Sequence, residues 1–264
     1  MSLYVEDAGE GRPVVLLHGL TASHRYVVMG SRHLERHGHR VIAYDARGHG
    51  RSDPADDPAA YRYEDLADDL VRVLDDHDVD AAVLVGASMG AHTAVRLALT
   101  DPSRVAGLVL VTPAFLPGNE ADPRAHARWD RLAGGLDRGG AEGFVDAYRF
   151  DDLPEQWRDT VRRVVAQRLA VHEHPRAVAD AIRAVSRSAP FDDVAQLGSI
   201  TAPTVVVGDR DEADPGHPLA VAERYAAAIP GARLVVEEEG RSPIAWQGGQ
   251  LSRVVAELTA TLDD

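Results

Sequence analysis

Short, nearly uninterrupted apolar runs recur along the chain at 13–17 (Pro-Val-Val-Leu-Leu), 40–44 (Arg-Val-Ile-Ala-Tyr), 81–85 (Ala-Ala-Val-Leu-Val), 105–111 and 203–207. Runs of about 4–8 such residues suit strands covered on both faces, as in a parallel sheet between two layers of helices. Helical spacing fills the gaps. Leu66, Leu70, Val73 and Leu74 share one face of 63–76, and Ala91, Ala94, Val95 and Ala98 share one face of 89–99. This β-α-β-α alternation predicts an α/β fold, a mostly parallel sheet flanked by helices, with its functional loops at the carboxyl ends of the strands.

The alternation stops between about 115 and 198. No strand-like run occurs there, and the apolar positions follow a helical period, as in Val161, Val164, Val165 and Leu169, then Val178, Ile182 and Val185. Pro113, Pro117 and Gly118 punctuate the entry to this stretch, and Pro190 and Gly198 its exit. Strand–helix alternation then resumes with a strand at 203–207, a helix near 218–228, a strand at 232–237 and a helix near 250–262. The pattern predicts a core formed by 1–114 and 199–264, with a helical cap insertion at 115–198 lying over the strand ends as a lid.

The 264 residues include no cysteine, which removes disulfides, thiolate metal sites and cysteine nucleophiles together. All 28 basic residues are arginine, so Schiff-base chemistry and a phosphate-loop lysine are excluded as well. A formal net charge of −14 without a basic block disfavours nucleic acid and anionic membranes and favours a small-molecule partner. No apolar run is long enough to cross a bilayer, and Met1 opens onto an acidic segment, so the expected location is cytoplasmic. No metal or other cofactor is implied. His172-Glu173-His174 in the cap has no third ligand and reads as a solvated segment. Trp129 and Trp157 suit either a substrate pocket or the packing of cap helices.

The strand at 81–85 runs directly into Gly86-Ala87-Ser88-Met89-Gly90 and then into a helix. A Gly-x-Ser-x-Gly pattern between strand and helix permits a sharp turn that projects the serine hydroxyl above the sheet. At the end of another strand, Leu16-Leu17-His18-Gly19-Leu20 offers a flexible glycine before the Leu20 amide. The N–H groups of Leu20 and Met89 could converge on a developing oxyanion, helped by the positive end of the helix that begins at Met89. His18 reads as a residue that shapes this loop.

Together with Asp45-Ala46-Arg47-Gly48-His49-Gly50-Arg51-Ser52 after the strand at 40–44, these motifs resemble the α/β-hydrolase superfamily. The similarity is to its small capped esterase, lactonase and haloperoxidase-like branch and extends over nearly the whole chain. The resemblance implies the α/β-hydrolase fold and places the catalytic acid after the strand at 203–207. There Gly208-Asp209-Arg210-Asp211 with Pro215 assigns it to Asp211, with Asp209 and Asp214 as alternatives.

The same resemblance expects a histidine after the last strand, as Gly-His-x-Pro, but the chain reads Gly240-Arg241-Ser242-Pro243. Arg241 then stands at the base position, as a partner for the Asp211 carboxylate or for an acidic substrate group. A guanidinium has no acceptor lone pair and cannot take a proton from serine. His217 and His92 are the alternative bases, the first in a loop that reads as surface, the second one helical turn below the serine. The expected function is an enzyme with an atypical triad acting on a small ester, lactone or related carbonyl compound through Ser88. Lyase, isomerase or cyclase chemistry on the same fold, or ligand binding without turnover, are the alternatives.

Overall fold

The computed structural model describes residues 1–210 and 214–262. In chain order the elements are β1 (Val5–Ala8), β2 (Arg12–Leu17), α1 (His33–Arg36), β3 (His39–Tyr44), α2 (Tyr63–Asp76), β4 (Ala82–Ala87), α3 (Met89–Thr100) and β5 (Val105–Val111). The helices α4 (Pro123–Ala147), α5 (Glu155–Leu169) and α6 (Pro175–Val185) follow. The chain then returns through β6 (Thr204–Gly208), α7 (Leu219–Ala228), β7 (Arg233–Val236) and α8 (Gly248–Thr259).

Seven strands form one sheet in the order β1-β3-β2-β4-β5-β6-β7. Every neighbouring pair is parallel except β1 with β3. The continuous apolar runs are explained by the two-residue period of a strand, which sends alternate side chains to opposite faces. Val15, Leu17, Leu84, Leu108, Leu110 and Val206 meet α2, α3 and α7. Their neighbours Val14, Leu16, Val83, Val85, Val109, Val111, Val205 and Val207 meet α1 and α8. Each fully buried side chain of this kind contributes roughly 1.5–3 kcal/mol, so the strand ends are held on a rigid base. The sequence pattern missed β1. It is a four-residue, half-exposed edge strand reading Val-Glu-Asp-Ala, with no apolar run to detect.

The helices α4 to α6 bury a cluster of their own, including Leu132, Leu136, Phe144, Val161, Val165, Leu169, Val178 and Ile182. They rest on the loops at the carboxyl ends of the strands. Leu20 packs into this cluster, and Val185 joins Met89. Trp157 meets Trp246 edge to face, with ring centroids 5.9 Å apart. His172, expected in a solvated segment, is instead buried and ties the helical layer to the sheet loops. Its Nδ1 accepts from the Gly50 N–H at 2.8 Å, and its Nε2–H donates to the Thr21 carbonyl at 3.0 Å. A histidine followed by Glu173 and His174 looks solvated unless the loop it docks against is known. Among the described residues, no helix is long and apolar enough to cross a membrane.

Candidate active site

The sharp bend after β4 depends on close backbone approach. A Cβ on Gly90 would overlap the Leu17 carbonyl and lie 2.8 Å from the Leu17 Cβ, and one on Gly86 would overlap the Gly90 backbone. Ser88 takes the strained side of the bend, with φ 49° and ψ −111°. Such a conformation costs a non-glycine residue about 1–3 kcal/mol and persists only where its surroundings enforce it. The Ser88 N–H donates to the Val111 carbonyl at 2.9 Å, and its carbonyl accepts from His92 N–H at 3.1 Å, so both ends are pinned. The side chain remains partly accessible.

The Gly19 loop lies directly against this bend, where a Cβ on Gly19 would stand 3.3 Å from the Ala87 carbonyl and 3.5 Å from Ser88 Cβ. His18 shapes the loop: its Nε2 accepts from Ala46 N–H at 2.9 Å and its Nδ1–H donates to the Gly19 carbonyl at 2.8 Å. Burial pushes the His18 imidazole down to about 4, so it holds these bonds as a neutral ring. Leu20 follows in this loop. Met89, as the first residue of α3, has an N–H with no intrahelical acceptor.

The Asp45 loop braces the same region. The buried Asp45 carboxylate accepts from His24 N–H and Nδ1–H, both at 2.8 Å, and from Arg51 N–H at 3.0 Å. Burial opposes its ionisation, but these bonds and the His24 ring prevail and hold it at about 2. Gly50 is required here, because at φ +51° its Cβ would collide with the Asp45 carboxylate.

The group facing Ser88 is the His217 imidazole. Residues 214–217 form a turn closed by His217 N–H to the Asp214 carbonyl at 3.1 Å, with Pro215 presetting its first central φ. That turn places His217 Nδ1 2.8 Å from Asp214 Oδ2, while His217 Nε2 lies 2.9 Å from Ser88 Oγ. A proton held on Nδ1 by the carboxylate leaves the Nε2 lone pair to accept from the serine hydroxyl. Burial works to lower the His217 pKa, yet the Asp214 charge and hydrogen bond raise it above its usual value. Burial likewise works to raise Asp214, and the His217 ring holds it lower. Ser88 and His217 are 129 residues apart in sequence. They meet because β4, β5 and β6 are consecutive in the sheet and end on the same side.

This arrangement corrects two expectations. Arg241 does not stand at the serine: its side chain is 73% exposed, 3.8 Å from Glu238 Oε2, in the loop beyond the edge strand β7. The imidazole comes instead from the loop after β6. His92 is no base for Ser88, because its Nε2 accepts from the Ala114 and Phe115 amides at 3.0 and 3.1 Å and its Nδ1–H donates to Tyr63 Oη at 2.9 Å. Burial pushes it down to about 3. Asp211 lies outside the described residues; the carboxylate on His217 is that of Asp214. Asp209 is buried near this pair, and desolvation with repulsion from Asp214 and Glu237 pushes its carboxyl up to about 7. Asp214-Pro215-Gly216-His217 carried a local signal, since an acid and a histidine across a proline turn are within reach of each other.

The cap contributes residues with no sequence signature. Arg168, on the last turn of α5, lies close enough for its charge to act on Asp214 and His217. Tyr148 and Tyr26 are among its electrostatic neighbours.

A family model described as the alpha/beta hydrolase fold matches residues 12–248. A Variovorax paradoxus (strain S110) protein provisionally named carbamate hydrolase RutD is 35% identical over 218 residues, 81% of this chain and 79% of that protein. Among solved structures, Est816, titled an N-acyl homoserine lactone degrading enzyme, is 29% identical with a TM-score of 0.74, covering 98% of this chain and 96% of its own. A thermophilic esterase from Thermogutta terrifontis, in a malate-bound structure, is 27% identical with a TM-score of 0.79, covering 98% and 93%.

Proposed function

Since the chain belongs to the α/β-hydrolase fold family, we propose that it is a serine hydrolase of small carboxylic esters, lactones or carbamates. In this reading Ser88 is the nucleophile, His217 the general base and Asp214 the acid that orients it. The observation that carries it is the imidazole bridging Ser88 Oγ at 2.9 Å and Asp214 Oδ2 at 2.8 Å. The named activities of the relatives support the substrate range.

Ser88 Oγ attacks the substrate carbonyl carbon as its proton passes to His217 Nε2. The carbonyl oxygen becomes the oxyanion, and the Leu20 and Met89 amides are assigned to receive it. The imidazolium, stabilised by Asp214, then gives its proton to the leaving alcohol or amine as the C–O or C–N bond breaks. A water deprotonated by His217 attacks the acyl-Ser88 carbonyl and releases the acid, restoring the serine.

Covalent labelling by a fluorophosphonate tests the nucleophile. The wild-type chain should label stoichiometrically and the Ser88→Ala variant not at all. Labelling that survives in a folded Ser88→Ala protein removes Ser88 from the role.

A further inference from the structure

On α5, Val161, Val165 and Leu169 follow a four-residue spacing and are buried in the cap cluster. Arg168 stands seven residues after Val161 and three after Val165, so the helical period puts it on the flank of this inward stripe, away from the solvent face. The residue is only partly exposed, and its guanidinium Nε is sealed from solvent with no hydrogen-bond partner among the described residues. A guanidinium partly withdrawn from water, with its Nε unpartnered, gains from a counter-charge. Among the described residues little of it is supplied. Asp214 is the acidic group that acts on Arg168, but its Oδ2 is engaged by His217 and it makes no ion pair with Arg168 among the described residues.

We propose that Arg168 receives a carboxylate carried by the substrate, so that preferred substrates are acyl compounds bearing a second, free carboxylate away from the scissile bond. This rests on the serine-hydrolase reading of the site. The guanidinium fork matches a carboxylate's two oxygens. One cation offsets one negative charge, and with the Asp214 carboxylate acting on the same guanidinium, a singly charged group is accommodated where a doubly charged phosphate would be repelled. Binding the distal carboxylate under the cap leaves the other end of the acyl chain to present its carbonyl to Ser88.

The test compares p-nitrophenyl hydrogen glutarate with its neutral counterpart, p-nitrophenyl valerate, on the full chain and on R168Q and R168K. The wild type should favour the glutarate in kcat/KM. R168Q should lower the glutarate-to-valerate ratio by about 10–150-fold, mainly through KM, whatever change the two probes share, and R168K should recover part of it. The shared valerate rate and circular dichroism report folding. A wild type without preference, or an unchanged ratio in R168Q, overturns the proposal while leaving the hydrolase reading in place. If neither ester is turned over, the hydrolase reading fails instead, and calorimetry with glutarate then decides: binding abolished in R168Q supports the Arg168 site, and no binding by the wild type overturns it.

Discussion

Replacing His217 by alanine separates the imidazole that the fold sets against Ser88 from the arginine that sequence register put in its place. The substitution removes the acceptor 2.9 Å from Ser88 Oγ and leaves an unactivated alcohol. Losing the base of such a triad costs about 10⁴–10⁶-fold in kcat, which at 1.36 kcal/mol per tenfold is about 5–8 kcal/mol of transition-state stabilisation. Part of the rate enhancement should survive if the Leu20 and Met89 amides receive the oxyanion as proposed, since such donors with substrate binding retain about 10³–10⁴-fold over water. Stability should fall far less, by about 1–3 kcal/mol, as Asp214 loses its hydrogen-bond donor; that carboxylate is 31% exposed and water replaces part of the loss. Arg241→Ala is the matched control. A side chain 73% exposed and 3.8 Å from one glutamate should change rate by no more than about twofold and stability by less than about 0.5 kcal/mol. The assay is the initial rate of p-nitrophenolate release from p-nitrophenyl butyrate, with urea unfolding run on the same preparations. The reasoning is refuted if His217→Ala stays within tenfold of the wild type, or if Arg241→Ala loses as much as His217→Ala.

The pH profile follows from the same pair: His217 must be neutral to accept the serine proton, and Asp214 raises its pKa above 6.5. kcat/KM should therefore rise with pH through a value above 6.5 and then level off. Asp214→Asn removes the raising charge, so the acid limb should move to lower pH while the plateau drops about 10⁴-fold; an acid limb that stays in place or moves up contradicts the assignment. At the Asp45 loop, Gly50→Ala should lower unfolding stability by about 2–4 kcal/mol, since the methyl meets the Asp45 carboxylate and φ is +51°. Urea denaturation that registers no loss would mean the loop relaxes freely around Asp45.

The layered fold was legible in the chain because its signals are local and repeated. Each β strand from β2 to β6 is an apolar run, and α2 and α3 between them carry a clear helical period. The edge strand β1 escaped because half of it faces water and polar residues serve it well. Gly86, Ser88 and Gly90 could be placed on a bend from sequence for the same reason. The pattern that makes the bend spans five consecutive positions, and strand and helix adjoin it.

The imidazole was different. Whether His217 or Arg241 faces Ser88 is decided by which strand end each loop leaves and how far the chain turns back, and both follow a strand on the same side of the sheet. Pro243 after Arg241 made the later loop look like the histidine loop. The turn at Asp214-Pro215 carries His217 inward, while the loop after the edge strand β7 leaves Arg241 in solvent. Arg168 was illegible for a related reason, because one arginine among the four of an amphipathic helix is ordinary until the helix is docked. Local pattern thus determined the sheet, its helices and the serine bend, since those depend on neighbours in sequence. Which groups meet across 129 residues was decided only by packing, because hydrogen-bond geometry is set by the relative positions of whole elements.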